Sequence, residues 1–85
     1  MSIVIPKLAD FENEIIKMQN DARNQGLNEI QINALELHKR VGYNSKDHRM
    51  PLACQAMYNL MTKRDEVIYS PPKGKGTRLT ILYHL

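Results

Sequence analysis

Lys73, Lys75 and Arg78 stand close together in the run Pro71-Pro72-Lys73-Gly74-Lys75-Gly76-Thr77-Arg78, and glycines frame the two lysines. Clustered cations on a loop are phosphate-contacting chemistry, and glycine lets the backbone itself approach an anion closely. Upstream, Gln55, Tyr58, Asn59 and Thr62 offer neutral donors and acceptors at helical spacing. Those groups can hydrogen-bond the edges of bases. A helix pair followed by a basic hairpin suits a duplex nucleic acid, with one helix in a groove and the hairpin on the backbone. The plain alternatives are a solvated helix face and a hairpin tip whose charge only keeps it soluble.

Nothing comparable points to catalysis. No nucleophile, base and orienting group assemble from local sequence, so no catalytic residue is assigned and the chain is expected not to be an enzyme. Gly74-Lys75-Gly76 lacks the loop-to-helix context of a phosphate-binding loop, and no cofactor is expected. His38, His48 and His84 share no metal-ligand spacing with one another or with Cys54, so no metal site is expected. Cys54 reads as a small, semi-buried residue, with a redox sensor or metal ligand as the sharper alternative.

Several elements must position these side chains. A first helix is expected over 6–26: Leu8, Phe11, Ile15, Met18 and Ala22 step by threes and fours, and Gly26 is a natural stop. Asp10, Glu12 and Glu14 suit the positive end of its dipole. The same stripe could form a short seam between two subunits, giving a possible homodimer. Glu29-Ile30-Gln31-Ile32 alternates like a strand with both isoleucines inward. Asn33 caps a second helix, with Glu36 completing a capping-box-like pair and Gly42 ending it. Ala34, Leu37 and Val41 share one face, away from Lys39 and Arg40.

A polar turn, 43–49, leads to a third helix opened by Pro51, whose missing N–H costs nothing in a first turn. Leu52, Ala53, Ala56, Met57, Leu60 and Met61 fall on its inner side. Gln55, Tyr58 and Thr62 fall opposite, flanked by Cys54 and Asn59, so the helix has an outer face with hydrogen-bonding groups and no acidic residue of its own. The helix-turn-helix unit is thus expected over 33–64. A hairpin follows over 66–83, with Leu79, Ile81 and Tyr83 inward and Arg78, Thr80 and Leu82 outward.

Eighty-five residues, 42% of them hydrophobic, make a single domain spanning 1–85. Aromatics are few, so Leu, Ile and Met must fill the core. One cysteine favours a reducing compartment. The opening Met-Ser-Ile-Val-Ile-Pro is too short for a signal-peptide core and no apolar run reaches membrane-spanning length, so a cytoplasmic location without membrane attachment is expected. Charge is polarised. Residues 1–29 carry three basic and five acidic side chains, a net −2, and residues 30–85 carry nine basic and four acidic, a net +5. A basic remainder suits a polyanion.

The succession helix, strand, helix, turn, helix, strand, wing, strand resembles the winged helix-turn-helix superfamily along nearly the whole chain. Residues 33–42, 51–64 and the Lys73-Gly74-Lys75-Gly76 hairpin carry the likeness, and the stretches 48–57 and 69–81 are similar to those of small bacterial winged-helix proteins. The resemblance implies an α+β fold, with three helices and a small three-stranded antiparallel sheet. It also implies that the third helix enters the major groove, where Gln55 can bind adenine in a bidentate manner and Thr62 can touch a thymine methyl or a phosphate. Lys46, His48 and Arg49, just before that helix, would meet phosphates or, for Arg49, a guanine edge. Lys73, Lys75 and Arg78 would form the wing.

The function so implied is double-stranded DNA binding in transcriptional regulation. The main rival is a protein-interaction or DNA-targeting subunit of a larger DNA-processing or restriction assembly. RNA binding by the same basic face is a third reading.

Overall fold

A computed structural model describes residues 7–42, 50–72 and 76–85. In these, α1 (Leu8–Asn24), β1 (Glu29–Asn33), α2 (Ala34–Gly42), α3 (Met50–Asn59), β2 (Glu66–Tyr69) and β3 (Thr80–His84) follow in chain order. Three helices and one small antiparallel sheet make an α+β fold. No helix among the described residues is long and apolar enough to cross a membrane.

Helix α1 starts where the Asp10 carboxylate accepts the Lys7 backbone N–H at 2.8 Å, which satisfies a donor that the helix itself cannot. It stops as the glycine signal predicts. Gly26 adopts a φ of 82°, Leu27 N–H bonds to Ala22 O at 3.0 Å, and Gly26 N–H bonds to Arg23 O at 2.9 Å. That pair of bonds is a Schellman motif, and its left-handed residue favours glycine. Phe11, Ile15, Met18 and Ala22 are buried against α2, α3 and the sheet of the same chain. The stripe considered as a subunit seam is therefore filled from within. The α1 face left to solvent is polar apart from Ala9 and Ile16.

The sheet order is β1-β3-β2, with both neighbouring pairs antiparallel. Ile32 faces Ile81, and Val67 faces Ile81 from the other side. Because side chains alternate along a strand, Leu79, Ile81 and Tyr83 all point to the helices and are fully buried, as expected. Pairing of β2 with β3 passes from Val67↔Ile81 to Tyr69↔Thr80, which leaves Ile68 as an extra residue, a bulge. All four β2 residues are exposed.

The largest fully buried side chains include Phe11, Ile15, Ile32, Leu37, Met57, Leu79, Ile81 and Tyr83. Each contributes about 1.5–3 kcal/mol by leaving water. Tyr83 brings a hydroxyl into this core and donates it to Met57 O at 2.7 Å, which joins β3 to α3. Burial pushes the phenol well above its ordinary pKa, and the Asp65 carboxylate adds to that shift.

Helix α3 differs from its expected extent. It ends at Asn59, so Leu60, Met61 and Thr62 lie beyond it. The Asp65 carboxylate causes the stop. It accepts Thr62 N–H at 2.8 Å and the Thr62 hydroxyl at 3.2 Å, while Arg64 N–H bonds to Thr62 Oγ1 at 3.3 Å. These bonds give the backbone a turn as an alternative to the next helical hydrogen bond. The other oxygen of Asp65 accepts His84 N–H at 2.8 Å, so the turn is tied to the end of β3. Burial alone would raise the Asp65 pKa, but the bonds from Thr62 and His84 outweigh it and hold the carboxyl below its ordinary value.

Candidate nucleic-acid interface

Asn33 begins the site. Its Oδ1 accepts the N–H groups of Leu35 (3.0 Å) and Glu36 (3.2 Å), which caps α2 as predicted. The Glu36 carboxylate lies 3.9 Å from Arg40. The Asn33 amide nitrogen does something that local sequence does not reveal. Its two hydrogens are shared among Thr77 O (3.2 Å), Leu79 O (3.4 Å) and Thr80 Oγ1 (3.2 Å), all on the segment that follows Gly76. Ala34 N–H to Leu79 O (2.8 Å) and Leu35 N–H to Thr77 O (3.3 Å) reinforce the clamp. The first turn of α2 thus grips the return limb of the hairpin.

Helix α3 grips the same limb from its own side. The buried Cys54 thiol donates to Gly76 O at 3.4 Å and accepts Gly76 N–H at 3.4 Å. A Cβ on Gly76 would come within 3.2 Å of Pro71 Cγ, so the two limbs approach closely here and a small residue suits the position. Cys54 is a packing residue joined to the hairpin base, consistent with its small-residue reading.

On α3, Ala53, Cys54, Ala56 and Met57 are buried, and the outward arc consists of exposed Pro51 and Asn59 with half-buried Gln55 between them, flanked by half-buried Tyr58 and Leu52. Tyr58 packs on the core. Gln55 Nε2 donates to Asn59 Oδ1 at 2.8 Å, and Asn59 Nδ2 donates to Glu12 Oε2 at 3.3 Å. Helix α3 itself carries no acidic residue, as expected. Helix α1 packs across α3 and brings its own carboxylate to that face.

Thr62 corrects an expectation. It is exposed, but it sits in the turn after α3 with its hydroxyl committed to Asp65 and Arg64, so it does not continue the Gln55 arc. Lys63 and Arg64, which the sequence marks only as charge, are exposed in that same turn.

Arg78 is exposed on the return limb, two residues beyond Gly76, and its carbonyl accepts the Thr80 hydroxyl at 3.0 Å. Lys46, His48, Arg49, Lys73 and Lys75 lie outside the described residues. Gln55 and Asn59 are therefore brought together, Arg78 is joined to α3 through the Gly76 limb, and Thr62 is set apart. Among the described residues, no group of three or more His, Cys, Asp or Glu side chains is arranged to hold a metal ion.

His38 stands out in the sequence only as a possible ligand without the spacing for it. It is buried on α2 and stacked on Phe11, with ring centroids 5.9 Å apart and planes 25° apart. Its Nε2 has no hydrogen-bond partner among the described residues.

No protein-family model, curated protein or solved structure matches this chain.

Proposed function

We propose that this chain is a winged helix-turn-helix domain that binds double-stranded DNA, with α3 presented to the major groove and the β2–β3 hairpin lying on the backbone, and that it serves transcriptional regulation. One observation carries the reading. The thiol of Cys54 on α3 bonds at 3.4 Å to both backbone groups of Gly76, the residue that follows Lys73-Gly74-Lys75 in the sequence. The arc of Gln55 and the limb of Arg78 therefore spring from adjoining parts of the fold. The net +5 carried by residues 30–85 supplies the attraction to phosphate.

A single module of this kind buries about 600–1,000 Å² of protein on DNA, which favours a modest affinity for one copy. Pairing over two half-sites would raise it. Phe11 and Ile15 are buried within the chain, which favours a surface other than the α1 stripe for such pairing.

Fluorescence anisotropy with a labelled duplex tests the reading. Binding is expected at low salt and should fall steeply toward physiological salt, because the release of counterions then gains less free energy. Absence of duplex binding at low salt, or binding indifferent to salt, ends it.

A second reading has its own support. Val67, Ile68 and Tyr69 are 39%, 50% and 45% exposed on the edge strand β2. An apolar strand edge suits a protein partner by strand addition, as in a subunit of a larger DNA-processing assembly. Under that reading the isolated chain binds DNA feebly and without sequence preference, and a pull-down returns one stable partner.

A further inference from the structure

We propose that Glu12, on α1, is a positioning residue for the base-reading arc of α3: it fixes the side-chain amide of Gln55 in the orientation that selects adenine. The inference rests on the duplex-binding reading above and names what that site would recognise.

The physical basis is hydrogen-bond polarity. Asn and Gln amides carry an acceptor on one side and a two-hydrogen donor on the other, and either orientation fills the same volume. An ionised carboxylate has no such ambiguity, because it only accepts. Glu12 Oε2 stands 3.3 Å from Asn59 Nδ2, which obliges Asn59 to turn its NH₂ toward α1 and its Oδ1 toward Gln55. Gln55 must then offer its own NH₂, and Nε2 lies 2.8 Å from Asn59 Oδ1. What remains of Gln55 is Oε1 and the second Nε2 hydrogen.

An acceptor beside a donor complements the N6 amino group and N7 of adenine in the major groove. A freely turning glutamine can instead present two hydrogens to the O6 and N7 acceptors of guanine. Holding the amide removes that choice and leaves less side-chain freedom to be lost on binding. Asn59 is in this account a relay rather than a base contact. The carboxylate that looks out of place on a DNA-binding face sets the polarity of the whole chain of amides.

The experiment selects duplexes from a random pool with the wild type, Gln55→Ala, Glu12→Gln and Asn59→Ala, with thermal unfolding of each. The position that flattens in Gln55→Ala is the one Gln55 reads. There the wild type should prefer A·T by roughly five- to 150-fold, the discrimination of a bidentate contact. Glu12→Gln can donate as well as accept, so it should bring the preference at that position to within about twofold. It should unfold like the wild type and bind random duplex no more weakly, since one negative charge is lost. Asn59→Ala should flatten the same position and serves as the second variant should Glu12→Gln unfold.

If Gln55→Ala flattens a position that Glu12→Gln and Asn59→Ala leave sharp, the positioning role is overturned while the duplex reading stands. If Gln55→Ala flattens nothing, the inference also falls. A wild type that binds no duplex removes both.

Discussion

The Cys54 thiol and Gly76 exchange two hydrogen bonds, each 3.4 Å long, so the middle of α3 and the return limb of the basic hairpin share one attachment. Asn33, the cap of α2, holds the same limb one residue further on at Thr77. The hairpin base is thus gripped by both helices of the pair. Each grip can be measured by substitution.

Asn33→Ala removes the cap of α2 and the clamp on residues 77–80 together, and should cost about 1–3 kcal/mol in urea denaturation. Asn33→Asp keeps an oxygen for the N–H groups of Leu35 and Glu36 but gives up the Nδ2 hydrogens shared among Thr77 O, Leu79 O and Thr80 Oγ1. It should fall between the alanine variant and the wild type. Equal losses in the two variants would mean that the cap contributes nothing.

Tyr83→Phe keeps the buried ring and deletes only the hydroxyl bonded to Met57 O at 2.7 Å. The carbonyl lies between α3 and β3, where water has little access, so a loss of about 1–2 kcal/mol is expected. Denaturation midpoints would show it, with an unchanged m-value marking an unchanged fold. A neutral result would mean that water satisfies that carbonyl.

Acid should weaken the fold through Asp65. Its folded-state pKa is lowered from 3.8, so between the two values the unfolded chain binds more protons. The contribution is therefore fully present above the unfolded value and is lost as pH falls through the folded one. Asp65→Asn should be less stable than the wild type at about pH 6, and the gap should narrow below about pH 4. Thermal unfolding at a series of pH values tests this, and a gap that stays constant into acid would contradict it.

Lys73→Ala/Lys75→Ala should reduce affinity for all duplexes alike. It should also flatten the plot of log affinity against log salt by about 0.9 for each phosphate no longer neutralised, or close to two if both lysines touch phosphate. The relative ranking of DNA sequences should hold. Binding that survives the double change with its salt slope intact would remove the wing from the site.

Local pattern was enough for much of this molecule. The three-and-four spacing from Phe11 to Ala22, the alternation of Leu79, Ile81 and Tyr83, the Asn33 cap and the Gly26 stop were legible because each depends on residues a few positions apart. Their physics is periodicity, backbone freedom and nearby hydrogen bonding, and all three are written in short windows of sequence. What crosses the chain was decided only by the tertiary structure. Thr62 left the helix because Asp65, itself bonded to His84, offers its backbone a turn. Glu12 joined the α3 arc because α1 packs across it, from 47 residues away. The second role of Asn33 required the hairpin to return to it. Such pairings follow from which surfaces the buried core brings together, and a side chain has no local signal for a partner that only packing supplies.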